Sequence, residues 1–151
     1  MVPEEMLEGF LGERFESGLI TNAVLGAGED LWHLRHAITE GLKQDGRVIA
    51  FDIAVSRNEI ERFRTEMSEE LGHLYPQVRI CDFGHLGDGG LHYNLVWPHE
   101  AETPYDPAAV ADIRDRIYGR VVNGFGGSFS AEHGIGPYNH CLLYTSDAAD
   151  E

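Results

Sequence analysis

Apolar residues recur along this chain with two periods, and the alternation between them lays out its elements. Met6, Phe10, Leu11 and Phe15 follow mostly helical steps with acids between them, predicting a helix over Glu4 to Ser17. Gly18-Leu19-Ile20 interrupts it, and Gly26-Ala27-Gly28 marks a loop. Leu31, Leu34, Ile38 and Leu42 define the buried face of a second helix, which Asp45-Gly46 should stop. Val48, Ile49, Phe51, Ile53 and Val55 then suit a mostly buried strand over Arg47 to Val55. Ser56-Arg57-Asn58-Glu59 has capping-box spacing ahead of a third helix carrying Ile60, Phe63, Met67, Leu71 and Leu74, ended by Pro76. Val78 to Phe83 and Leu91 to Trp97 read as two more strands joined by a glycine-rich loop. After the polar loop Pro104 to Pro107, a fourth helix runs from Ala108 to Asn123 through Val110, Ile113, Ile117 and Val121. Gly124-Phe125-Gly126-Gly127-Ser128 is read as a loop or strained turn. The order predicts an α+β fold, with helices on one face of a largely antiparallel sheet.

Composition narrows the class. At 151 residues the chain suits one domain with a real core, and not two large ones. Its net charge of −15 excludes a nucleic-acid partner, whose phosphates demand a basic face, and disfavours anionic membranes. That acidity reads as solubility. No window has the roughly 18 consecutive apolar residues of a membrane span, and Met1-Val2-Pro3-Glu4-Glu5 is no signal peptide. Two isolated cysteines, Cys81 and Cys141, make no disulfide scaffold, so a reducing, cytoplasmic setting is expected. Residues 141–151, Cys-Leu-Leu-Tyr-Thr-Ser-Asp-Ala-Ala-Asp-Glu, read as a translated sequencing adapter, which leaves 1–140 as the natural sequence.

The chemistry gathers in two glycine-rich segments. Gly84-His85-Leu86-Gly87-Asp88-Gly89-Gly90-Leu91-His92-Tyr93-Asn94 holds two histidines seven residues apart, and Ser130-Ala131-Glu132-His133-Gly134-Ile135-Gly136 adds a carboxylate and a third imidazole. His85, His92 and Glu132 make a donor set that leaves an open position on a divalent metal, as catalytic sites do. The plainer alternative is a pair of imidazoles bonded to loop carbonyls. Asp88 reads equally as an acceptor that fixes a histidine tautomer or as an Asx-type turn former. Arg35, with Thr39 one turn later, could grip a carboxylate, against the alternative of a solvated arginine near Asp30 or Glu40. His33, His36, His73 and His99 read as surface or packing residues.

Taken together, the two glycine-rich segments resemble the C-terminal domain of FAD-linked oxidases, the group of D-lactate dehydrogenase, glycolate oxidase subunit and D-2-hydroxyglutarate dehydrogenase. The resemblance runs from about Leu7 to His140 and includes Leu31-Trp32, Arg35, Thr39 and Asp52-Ile53-Ala54-Val55. It implies a ferredoxin-like cap domain over the ring of FAD, with most FAD contacts made by an N-terminal domain outside this chain. By similarity, His85, His92 and Glu132 hold a divalent metal, zinc in the metal-using members. His133 is the general base, Arg35 and Thr39 hold the substrate carboxylate, and Asn94 contacts substrate or flavin, with His133 also on the cofactor side. The implied reaction oxidises a small D-2-hydroxy acid (D-lactate, glycolate or D-2-hydroxyglutarate) to the 2-oxo acid, with hydride transfer to FAD and an electron acceptor the residues do not identify. A homodimer stays open, as does peripheral attachment of the full-length protein to an inner membrane.

Two departures stand out. Where the D-2-hydroxyglutarate branch carries a lysine two residues before the strand aspartate, this chain has Ala50, so either Arg47 substitutes or the substrate is a smaller monocarboxylate. After Gly136 only Pro137-Tyr138-Asn139-His140 precede the adapter-like tail, so the chain by itself is expected to be inactive. The competing readings are a stand-alone metal-binding α+β module without redox activity and a non-functional truncation product.

Overall fold

The computed structural model describes residues 4–24 and 29–132, with all side chains there except those of Glu4, Asp30, Leu31 and Arg35. The stretch 141–151 lies outside the described residues. The chain divides into two compact units, Met1–Ile38 and Thr39–Glu151.

The first unit contains α1 (Glu4–Glu16) and the start of α2 (Glu29–Asp45). Both helices form where the sequence places them, but the burial expected of α2 is not observed. Leu34 is 66% and Ile38 38% exposed, and Leu42 in the second unit is only half-buried. Met6, Phe10 and Phe15 of α1 are likewise exposed. The core cluster of the second unit runs from Ile49 to Val121.

That second unit continues through β1 (Gly46–Ile49), β2 (Asp52–Ala54), α3 (Ile60–Leu74), β3 (Arg79–Ile80), β4 (Phe83–His85), β5 (Gly90–His92), β6 (Leu95–Pro98) and α4 (Pro107–Gly119). Each of the three strands read from the sequence is interrupted once, at Ala50-Phe51, Cys81-Asp82 and Tyr93-Asn94. The pieces form two antiparallel sheets, β1-β6-β3 and β2-β5-β4. Register carries straight across the gap. Ile49 pairs with Leu95 and Asp52 with His92, three residues further on both strands; Ile80 pairs with Leu95 and Phe83 with His92 at the same spacing. The interruptions therefore align as one fold line across a single bent sheet. Tyr93 N–H donates to Phe51 O at 3.0 Å and Cys81 N–H to Asn94 O at 2.8 Å, which keeps the line hydrogen-bonded.

Beyond α4, a π-helical turn (Arg120–Gly124) leads to a bridge between Ser128 and Ala54 on the free edge of β2. The segment read as a loop thus carries an isolated bridge at the position of a fourth strand. With it, the second unit runs β-α-β-β-α-β, and the pieces on the bent side lie in the order Ser128, β2, β5, β4, which is the ferredoxin-like arrangement.

Alternation assigns the two faces. Ile49, Phe51, Ile53 and Val55 share the core with Leu91, Tyr93, Leu95 and Trp97, and Ile60, Phe63, Met67 and Leu71 of α3 and Val110, Ile113 and Ile117 of α4 cover them. Aromatic edges lock this layer: Phe63 meets Tyr93 with ring centroids 5.3 Å apart, and Phe51 meets Tyr118 at 5.2 Å. The helix starts differ from expectation in one case. Ser56 makes no side-chain cap, because a 3-10 turn (Arg57–Glu59) precedes α3 and Glu59 pairs with Arg62 at 2.5 Å. At α4, Asp106 accepts from Ala108 N–H at 2.9 Å, with Pro107 in the first turn. Gly46 does end α2, although by opening β1: a Cβ there would lie 2.1 Å from Trp97 O.

Candidate functional site

The residues that alternate away from the helices bring the polar groups together. Across β2, β5 and β4, one rung reads Asp52, His92, Phe83, and the next rung on the same face reads Ala54, Gly90, His85. The glycine-rich segment is therefore a hairpin, and its seven-residue spacing sets His85 and His92 diagonally on one face. Their ring centroids are 5.8 Å apart, and Phe83 holds the other side of His92 at 5.1 Å. On the rung beside His85, Gly90 is buried, and a Cβ there would lie 3.0 Å from Asp88 Oδ1.

The turn is shaped for this. Gly89 has φ +89°, and a Cβ there would lie 2.3 Å from Val55 O, so backbone sits where a side chain would stand. Asp88 is the Asx turn former: its Oδ1 accepts from Gly90 N–H at 2.8 Å.

Glu132 arrives on the segment that follows the bridge between Ser128 and Ala54. Ala54 and Ser128 exchange backbone hydrogen bonds of 2.9 and 2.8 Å, and Ala131 N–H donates to Asp52 O at 3.0 Å. That approach needs Gly127, where a Cβ would meet Ala54 O at 2.3 Å. As a result Glu132 Oε1 lies 3.3 Å from His85 Nε2 and 3.9 Å from His92 Nε2. One donor atom from each of the three residues falls within 4.8 Å of the others. Two imidazoles and a carboxylate at these separations are groups that could hold a metal ion. His85 and Glu132 are about half exposed and His92 is largely buried, which leaves the cluster open on one side.

Asp52 was not singled out for the site by the sequence reading. Its Oδ2 accepts from Glu132 N–H at 2.7 Å, and its Oδ1 lies 3.7 Å from His92 Nδ1. The available signal was a lone carboxylate in the apolar run Phe51-Asp52-Ile53. Asn94 lies on the fold line, 6% exposed, and its Nδ2 donates to His92 O at 3.4 Å. Thr39 is exposed on α2, in the second unit. Arg35 lies on α2 within the first unit, and its side chain and His133 are outside the described residues. His33, His36, His73 and His99 are exposed, as expected. Cys81 lies on the fold line, and burial pushes its thiol up from the ordinary range.

Comparison with known proteins agrees with these features. The chain is 32% identical over 142 residues to a D-2-hydroxyglutarate dehydrogenase of Xanthomonas citri pv. viticola, covering 90% of this chain and 29% of that protein. It is 32% identical over 136 residues to the mitochondrial D-2-hydroxyglutarate dehydrogenase of Arabidopsis thaliana, covering 87% and 23%. The mitochondrial enzyme of the same name from Danio rerio is 31% identical over 151 residues, covering 97% and 27%. The chain thus spans less than a third of the length of these relatives. No helix among the described residues is long and apolar enough to cross a membrane. Residues 2–150 match the family described as FAD linked oxidases, C-terminal domain, and the chain belongs to that family.

Proposed function

We propose that this chain is the substrate-side part of a flavin-dependent dehydrogenase that oxidises a D-2-hydroxy acid to the 2-oxo acid. The observation that carries the reading is the three-donor cluster of His85, His92 and Glu132 on the sheet face opposite α3 and α4, in a member of an FAD-linked family. Bound to such an enzyme, a divalent metal supplies a Lewis acid for the substrate hydroxyl and FAD supplies the hydride acceptor. His85, His92 and Glu132 would hold the ion. His133 would take the proton of the substrate hydroxyl. Arg35 and Thr39 hold the substrate carboxylate, and Asn94 orients the substrate beside the flavin.

The names of the relatives favour D-2-hydroxyglutarate as substrate. One observation supports a smaller acid. Ala50 provides no cation, and the Arg47 guanidinium lies over the Tyr105 ring, 4.4 Å from its centroid. Turnover of D-2-hydroxyglutarate and D-lactate by a flavin-loaded protein carrying this sequence separates the two. In that protein, Arg35→Ala should raise KM and His133→Ala should mainly lower kcat; the reverse pattern overturns these roles. Zinc content of the purified chain tests the metal reading directly. His85→Ala and His92→Ala should each lower it, and unchanged content removes both residues as ligands.

A further inference from the structure

We propose that Asp52 is the positioning residue of the metal centre: it ties the strand segment that delivers Glu132 to the rung that holds His92. The inference rests on the metal reading above and adds a residue to which that reading gives no role. Three contacts converge on this one residue. Its carbonyl oxygen accepts from Ala131 N–H at 3.0 Å, its Oδ2 accepts from Glu132 N–H at 2.7 Å, and its Oδ1 stands 3.7 Å from His92 Nδ1. The first two fix the backbone of the Glu132 donor at consecutive residues. The third sets a carboxylate beside the ring nitrogen of His92 that faces away from Glu132, since Nε2 is the atom nearer the Glu132 carboxylate. A carboxylate behind a metal-binding imidazole orients the ring and raises its basicity.

The placement is economical in sequence terms. Asp52 and His92 are cross-strand partners, so register alone brings them together. Glu132 lies 80 residues further along the chain and reaches the site just beyond the isolated edge bridge at Ser128. Such an edge pairing is weakly specified without an added side-chain contact. The bond from Glu132 N–H to a largely buried carboxylate supplies that contact and is charge-assisted.

Asp52→Asn and Asp52→Ala separate positioning from folding. Asparagine keeps an acceptor for Glu132 N–H and loses the charge beside His92; alanine loses both. Zinc affinity of the purified chain, measured by competition with a chelator, should fall 10- to 100-fold in Asp52→Ala and less in Asp52→Asn. Amide hydrogen exchange without metal should show the Glu132 N–H protected in the wild type and in Asp52→Asn, and released in Asp52→Ala. The cobalt-loaded absorption spectrum should shift in both variants. Wild-type zinc affinity in Asp52→Ala overturns the inference and leaves the metal reading standing. Absence of zinc binding by the wild type overturns the metal reading and this positioning role together. A Glu132 amide in the wild type exchanging as fast as an unstructured peptide overturns the tie itself, whatever the metal result. Should Asp52→Ala fail to fold, by circular dichroism, a wild-type affinity and cobalt spectrum in Asp52→Asn overturn the proposal.

Discussion

The two faces of the bent sheet are built from the same strands and the same register, yet they do different work. On the helix side, Ile49, Phe51, Ile53, Val55, Leu91, Tyr93, Leu95 and Trp97 are all buried. On the other side the alternate positions include Asp52, Ala54, His92 and Asn94, joined by Phe83 and His85 of β4. The period-two geometry of a strand lets one run of residues supply stability and chemistry at once. Substitutions on the two faces should therefore be separable in their effects, although adjacent in sequence.

The sharpest contrast is between Leu95→Ala and His85→Ala. Leu95 is fully buried, and its truncation should cost about 2–5 kcal/mol in urea unfolding. His85 is half exposed, and its loss should change stability by no more than about 0.5 kcal/mol while zinc binding drops. Comparable destabilisation by both would dissolve the distinction between the faces. Gly89→Ala should fall between them, at about 1–3 kcal/mol, because it forces a side chain into positive φ and against Val55 O. If that variant kept full stability, the turn would not be constrained as described.

Tyr93 makes a finer test. Its hydroxyl is buried with no hydrogen-bond partner among the described residues, and burial pushes the phenol far above its ordinary range. Tyr93→Phe removes an uncompensated polar group and should leave stability unchanged or raise it by up to about 1 kcal/mol. A clear loss would reveal a partner for the hydroxyl.

The smallest effect belongs to the outside of the helix layer. Asp112 accepts hydrogen bonds from Tyr75 Oη and Arg116 Nε, and these hold its carboxyl below the usual range, with Tyr75 the larger influence. A depressed carboxylate stabilises the fold above its unfolded pKa, and the contribution disappears as pH falls through the folded value. Asp112→Asn should therefore lower the melting temperature slightly at neutral pH, with the difference closing in acid. A gap that widened below the carboxylate range would contradict this sign.

Much of this was legible in the sequence. All four helices and the strand-forming stretches followed from periodicity, because α3 and α4 have real apolar faces and the strands alternate. The fold line was not legible. Phe51 and Tyr93 continue the alternation without a break, and only pairing reveals the bend. The exposure of Leu34 and Ile38 was also hidden, since an apolar helix face reads alike whether or not it is covered. For the site, glycine density and histidine spacing raised His85 and His92 as candidates, with loop-bonded imidazoles as the alternative, and Glu132 as the distant carboxylate; the structure brings the three together. Asp52 escaped notice because its importance lies in a bond to a backbone amide 80 residues away, which leaves no local pattern.

The unbroken step across the fold line also limits where the chain can change length. An added residue at Leu86 or Gly87 would lengthen the hairpin tip and leave the pairs Phe83–His92 and Asp52–His92 intact. An added residue at Ala50 or Tyr93 would turn every later side chain of that strand over, sending Asp52 or Leu95 to the wrong side. The tip can thus change length while the sheet behind it behaves like a reading frame, indifferent to what is written at the tip but intolerant of a single shift.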